Sequence, residues 1–455
     1  MTLKEKTKNC FSSVKNKIIS LRTNQLVLVC ALLSIIYLIS GYWKWIEIGV
    51  SLCALAFMAV MPVQNALCVF TFLHSFTLSN IGYDSCFMVT LIGFCLILLV
   101  KYWIGVKNND YAYHKKLISL IGTFYIVGII LSLFKPLYNG AWLYFTYLPL
   151  AYFLFAMRKE FKIQQAMNFM FGGLLTSCSL AVLGLCFPKF QYLSFNIIND
   201  DYRFRAFVNN TNYLYMRALF LMSYYMFQHL NKKLSLSKFI IIYAACSIIT
   251  ISTLSKTGFA MLALLSLLYI ILLLKQDFKK NIKFVGAIVL FGLLAIAVCH
   301  KFILAILQRF LNDFNSNNLI TSLFTGRNEI WNIYLDQIFS SPIKALFGHG
   351  LLTQQLYVGV PYGFGNTETH NFYIWLLYRF GIVGTIALCY IIYRFIKLIN
   401  KEKPKFIAYL PLLFILLESL FDNTMKCYHI TYFLFAIMIL FMDCKEKAQN
   451  EKIKS

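Results

Sequence analysis

A polar stretch from about residue 301 to residue 369 holds most of the side chains able to do chemistry, and it closes with Glu368-Thr369-His370-Asn371 at the mouth of an apolar segment. Within it stand Thr325-Gly326-Arg327-Asn328-Glu329-Ile330-Trp331, then Ser341-Pro342 and Leu346-Phe347-Gly348-His349-Gly350; Gly381 and Gly384 follow in the apolar run. Two earlier groups join them: Arg203 with Arg205-Ala206-Phe207-Val208-Asn209-Asn210-Thr211-Asn212, and Leu254-Ser255-Lys256-Thr257-Gly258. Arginine presents a planar fork of donors and lysine a point charge, so Arg205, Lys256 and Arg327 converging on one face would suit a diphosphate. The alternative for each cation alone is an anchor that holds a helix end at lipid phosphates. A histidine suits a general base, which makes His370 the candidate, with Glu368 as a competing base and Asn371 able to orient either. Its alternative is a helix-end histidine stabilised by interfacial water. Asp200 and Asp201 lack D-x-D spacing and the thirteen cysteines form no CxxC pair, so neither a metal nor a cofactor is expected. The cysteines read as small hydrophobes.

The elements that must position these residues are membrane helices. Hydrophobic residues make up 60% of the chain, aromatics 17%, and mean hydropathy is +0.68, well beyond a soluble globular protein. A bilayer core of about 30 Å takes about 20 apolar residues per helix, and backbone amides in lipid must pair within their own segment. Spans are expected near 26–42, 45–61, 63–79, 85–104, 115–134, 140–156, 165–187, 212–230, 237–254, 257–275, 282–304, 370–396, 404–421 and 426–442. The fold class is therefore an all-α polytopic bundle of about 12–14 spans. Pro62, with Gln64 and Asn65 just after it, predicts a break between the second and third.

Charge orients this layout. With the N-terminus cytoplasmic, the inward segments hold about 29 of the 42 Lys and Arg residues, the bias of bacterial inner-membrane proteins. The net charge of +24 belongs to those loops, with no basic stripe that would suit nucleic acid. The expected organisation is a basic cytoplasmic tail at 1–25, a bundle at 26–304 with an outer loop at 188–211, a large extracytoplasmic loop at 305–369, C-terminal spans at 370–442 and a cytoplasmic tail at 443–455. Both termini then face the cytoplasm. The first helix reads as an uncleaved signal anchor, since no A-x-A site follows the lysine-rich start.

Inside the large loop, Thr325 can cap an amphipathic helix carrying Ile330, Trp331, Tyr334, Leu335 and Ile338 on one face, expected to lie on the outer membrane surface. Arg327 would project from its first turn, where backbone N–H groups also favour an anion. Ser341-Pro342 stops this helix, Gly348 and Gly350 bracket His349 in a tight turn, and Gly363 with Gly365 suggests a second flexible stretch. Arg217, Arg379, Glu418, Asp422 and His429 lie in or near spans and should face the bundle interior or its mouth.

The series Arg205…Asn212, Ser255-Lys256-Thr257-Gly258, Gly326-Arg327, Trp331, Pro342, Gly348-x-Gly350, His370-Asn371 and Gly381-x-x-Gly384 resembles the O-antigen ligase and O-antigen polymerase (Wzy-type) superfamily, over roughly residues 200–396. Lys256 stands where arginine is usual, and Ala206 and Thr211 where Gly and Pro are frequent. The resemblance implies an inverting, polyprenyl-diphosphate-dependent glycosyltransferase facing outward. It implies His370, Arg327, Arg205 and, in reserve, Glu368 as catalytic residues, and Lys256, Asn212, Arg203, Asn371 and Trp331 as substrate-binding ones. Donor and acceptor would be polyprenyl-diphosphate-linked oligosaccharides among membrane lipids, with a chain-length regulator and a flippase as further partners. Polymerase is the favoured activity, O-antigen ligase the alternative, and a lipid-linked oligosaccharide flippase the reading of a different class.

Overall fold

The computed structural model describes residues 23–40, 44–76, 85–108, 113–137, 144–186, 195–198, 201–207, 211–276, 327–354, 357–360, 363–366, 369–399, 406–421 and 432–440, with isolated positions between 282 and 308. Glu368, Thr325, Gly326, Asp422 and His429 lie outside the described residues. The protein is an all-α polytopic membrane protein. Among the described residues, Val89–Lys107, Ile163–Gly184, Lys256–Gln276 and Phe372–Lys397 are long and apolar enough to cross a bilayer, and shorter apolar helices accompany them.

The helices are α1 (Thr23–Ser40), α2 (Lys44–Val60), α3 (Val63–Leu73), α4 (Ser85–Lys107), α5 (Lys115–Ile130), α6 (Tyr144–Ala156), α7 (Ile163–Gly184), α8 (Thr211–Leu230), α9 (Leu236–Ser252), α10 (Lys256–Gln276), α11 (Arg327–Phe339), α12 (Pro342–Phe347), α13 (Phe372–Ile399) and α14 (Leu410–Glu418). A further helical stretch covers 432–440. Two antiparallel hairpins interrupt the helices: β1 (Phe195–Ile198) with β2 (Asp201–Phe204), and β3 (Tyr357–Val360) with β4 (Gly363–Asn366). The second hairpin replaces the flexible stretch expected around Gly363 and Gly365. Those glycines pair with Val360 and Val358, so strand pairing absorbs a segment that composition alone marks as a loop.

The chain divides into two compact units, Met1–Tyr113 with Pro149–Leu214, and His114–Leu148 with Tyr215–Ser455. In the first, Pro62 separates α2 from α3 as the sequence predicts, and the Met61 carbonyl accepts a hydrogen bond from Lys101 Nζ at 2.7 Å. Helix α3 lies against α7, where a Cβ on Gly173 would stand 2.3 Å from the Phe72 carbonyl oxygen. Thr71 Oγ1 crosses the same gap to the Ala166 carbonyl at 3.0 Å, a bond that small residues and close backbones make possible in membrane bundles.

In the second unit, α13 is broken. Gly381 takes φ 60° and ψ −170°, a conformation open to glycine, and divides the expected single span into a stem ending at Phe380 and a helix from Ile382. The latter part is about 27 Å long at 1.5 Å per residue, close to the hydrocarbon thickness by itself. Gly348, at φ 70°, crosses the break so closely that a Cβ on either glycine would meet the other's backbone nitrogen at 2.5 Å. His349 N donates to Tyr378 O and Gly350 N to Arg379 O, both at 2.8 Å. The chain then runs beside the end of α5: Leu351 N donates to Gly128 O (2.9 Å) and Gln354 N to Pro136 O (2.7 Å). The connection after α5 and the stretch before β3 are therefore held side by side.

Candidate functional site

Helix α11 begins at Arg327 and turns Ile330, Tyr334 and Ile338 inward, where they pack with Tyr378, Ile374 and Leu377 on the α13 stem. The Tyr334 and Tyr378 rings meet edge to face, centroids 4.9 Å apart. The apolar face expected on this helix is covered by the stem of α13 that the break at Gly381 leaves. Ser341 ends the helix and starts the next, its side chain accepting from Lys344 N to cap α12.

Trp331 lies off the buried face, and its Nε1 donates to the Thr369 carbonyl at 2.8 Å. Arg327 Nη1 donates to the Phe421 carbonyl. Asn371 Nδ2 reaches the neighbouring Leu420 carbonyl at 3.1 Å, while Phe372 N donates to Ser419 O at 2.9 Å. The start of α11, the start of α13 and the end of α14 thus share one knot of side-chain-to-backbone bonds, which brings Arg327, Trp331, His370 and Asn371 together. Asn371 also accepts from Tyr373 N and Ile374 N at 3.0 and 3.1 Å, so it caps α13 through Oδ1 while holding α14 through Nδ2. Its expected orienting role is exerted on backbone.

His370, half-buried at this junction, takes φ 47°. Left-handed backbone in a residue other than glycine is sparsely populated and costs about 1–3 kcal/mol, and such strain concentrates at functional sites. Here the Asn371 cap and the Thr369 bonds on either side hold it in place: Thr369 Oγ1 donates to the Asn371 carbonyl at 2.9 Å.

Lys256 is the first residue of α10, half-buried, after a Ser255 whose Oγ accepts from Gly258 N at 3.3 Å. Gly258 lets α10 rest on Tyr215, since a Cβ there would stand 2.7 Å from the ring. The Tyr215 hydroxyl in turn donates to Glu418 Oε1, in the last turn of α14. Lys256 is linked through this chain to the helix whose end binds Arg327. Arg217, Arg379 and Glu418 are all fully buried, as read from their place in the spans.

Arg203, Arg205 and Asn212 belong to the first unit. Arg203 Nη2 donates to Asn212 Oδ1 at 3.4 Å from the end of β2. Ala206, buried beside Arg205, adopts φ 51°, a left-handed backbone that favours glycine.

The sequence assigns no role to His349, Lys135 or Lys344. His349 appeared only as the middle of a G-x-G turn; the structure buries it, stacked on Tyr378 with centroids 4.3 Å apart. Lys135 follows α5 and donates to the His349 carbonyl at 2.8 Å. No local pattern connects residues so far apart in the chain, although the Gly-His-Gly motif flagged the turn itself.

Fold and site together define a helical membrane protein with a polar, backbone-tied cluster at the head of one broken span. Residues 240–389 match the Wzy_C family model, described as O-antigen ligase. The match is consistent with the O-antigen ligase and polymerase superfamily, and the matched segment contains Lys256, Arg327, Trp331, His370 and Asn371. No curated protein and no solved structure matches the chain.

Proposed function

We propose that the protein is a polysaccharide polymerase which transfers a growing glycan, of O-antigen, capsule or exopolysaccharide, from polyprenyl diphosphate to the next lipid-linked repeat unit. The site faces outward from the cytoplasmic membrane. The observation that carries this reading is the junction of Arg327, Trp331 and His370-Asn371 within the segment that matches the O-antigen ligase family model.

An acceptor hydroxyl attacks the anomeric carbon from the face opposite the diphosphate. As the new C–O bond forms, the old one breaks, and its electron pair leaves on the diphosphate. That leaving group needs positive charge more than a proton, which Arg327 supplies. The hydroxyl proton passes to His370, with Glu368 as the reserve acceptor. Lys256 adds charge for the phosphates, and Trp331 presents an aromatic face to the sugar. The diphosphate linkage drives the transfer, so no nucleotide is required.

An O-antigen ligase would use the same groups with a lipid A core as acceptor, and the family description favours weighing it. Purified protein is given polyprenyl-diphosphate oligosaccharide alone and the product is run on a gel. A ladder of extended chains supports the polymerase; a ladder-free result that becomes single transfer when lipid A core is added supports the ligase. Movement of the lipid across proteoliposomes with no glycan transfer would point instead to a flippase.

A further inference from the structure

Lys135 and Lys344 approach one another around the Gly-His-Gly turn. Both are half-buried, and burial together with the charge of Lys344 lowers the Lys135 ammonium below the usual lysine range. His349, 8% exposed, lies in the field of both lysines and of Arg379. Among the described residues no carboxylate acts on Lys135 or His349; every charged group that does is a cation. The imidazole meets the Gln337 carbonyl with one nitrogen, and its buried Nε2 has no hydrogen-bond partner among the described residues. A buried, unsatisfied ring nitrogen beside two uncompensated ammonium groups calls for a missing polar ligand.

The surroundings indicate where that ligand comes from. Phe134 and Leu137 flank Lys135, and Ile343 and Phe347 flank Lys344; all four are exposed, Ile343 at 73%. In a membrane protein such apolar side chains enter lipid while neighbouring lysines hold their amines at the headgroups. The turn also packs at the Gly381 break, where the stem of α13 gives way to a helix of bilayer length.

We infer that Lys135, Lys344 and His349 form a binding site for a lipid-borne phosphate, separate from the junction at His370. Two lysine amines supply charge to its oxygens. His349 Nε2 accepts from a protonated phosphate oxygen or, once protonated beside the anion, donates to a bare one. The site stands on these residues alone and does not require the transferase reading. Two sources share this chemistry: a bilayer phospholipid, or the diphosphate of a second lipid-linked substrate.

The test is native mass spectrometry of the whole protein released from nanodiscs, comparing wild type with Lys135→Gln/Lys344→Gln and with Lys344→Glu. The single variant alters a side chain whose amine otherwise meets only the exposed Ser340 hydroxyl, so it leaves the buried turn contacts intact. In phosphatidylglycerol discs, a tenfold or greater loss of retained phosphatidylglycerol in both variants supports the site with a bilayer lipid in it. In phosphatidylcholine discs with added polyprenyl diphosphate, loss of one bound molecule from these variants, additional to any lost through Arg327→Ala when it is combined with them, supports the site with a substrate lipid in it. Unchanged retention of both lipids by a monodisperse Lys344→Glu protein overturns the inference, whatever the transfer assay shows.

Discussion

The two histidines of the polar stretch occupy opposite environments within the same unit. His349 is buried, stacked on Tyr378 and surrounded by cations, and its pKa falls to about 4, first through burial and then through Lys135, Lys344 and Arg379. His370 is partly buried at a helix mouth, in strained backbone, between a buried threonine and a capping asparagine. A general base must hold its proton weakly enough to release it and strongly enough to take it near pH 7, which a group held near 4 does poorly. The depressed pKa counts against His349 as the base, and the proposed function keeps that role for His370.

The sharpest way to break that contrast is His370→Gln, which retains size and hydrogen bonding without proton acceptance. Chain extension by purified protein should fall by roughly 10²–10⁴-fold while lipid-linked repeat units still bind. Parental extension, with Glu368→Gln inactive, would move the base to Glu368; activity surviving both changes would leave the cations as sole drivers.

Arg327→Lys keeps a charge and loses the fork that serves the Phe421 carbonyl and a diphosphate together. Polymer formation should drop about 10–100-fold, the loss of one charge-assisted hydrogen bond, at an unchanged protein level. Normal polymer from Arg327→Ala would reduce this residue to a lipid anchor.

Gly381→Ala attacks the other region. With backbone at 2.5 Å and φ 60°, the added methyl should cost several kcal/mol, of which the strained backbone is about 1–3 kcal/mol. Monodisperse protein recovered by size-exclusion chromatography should fall about tenfold, with the specific activity of the surviving fraction close to parental. Full recovery would show that the Gly348–Gly381 crossing can open without penalty.

A smaller effect comes from pH. The folded-state pKa of His349 is depressed from 6.5 to about 4, so the unfolded chain binds more protons between those values. Its contribution to stability is present above pH 6.5 and is lost as pH falls through 4. The apparent melting temperature of the wild type should drop by about 2–5 °C more than that of His349→Asn between pH 7 and 4.5. Equal slopes would mean that the ring is hydrated in solution.

Orientation supports both regions and has its own check: a cysteine placed at Asn317 or Asn366 should react with an impermeant thiol reagent from outside intact cells. Labelling only after permeabilisation would turn the site toward the cytoplasm.

Composition and apolar run length alone establish the helical membrane class, because lipid leaves the backbone no other way to pair its amides. The break at Pro62 is equally local, since proline removes a donor wherever it falls. The motif series likewise picks out Arg327, Trp331 and His370-Asn371 in order. What the sequence could not decide is what those motifs touch. Periodicity shows that Ile330, Tyr334 and Ile338 share a face but not whether membrane or protein covers it. That depended on the stem of α13, and the stem exists because Gly381 breaks the helix where Gly348 crosses it. Lys135 lies more than two hundred residues before His349, and no spacing rule joins them. Local chemistry selects the residues, whereas long-range packing determines their neighbours, and with them the depressed pKa of His349.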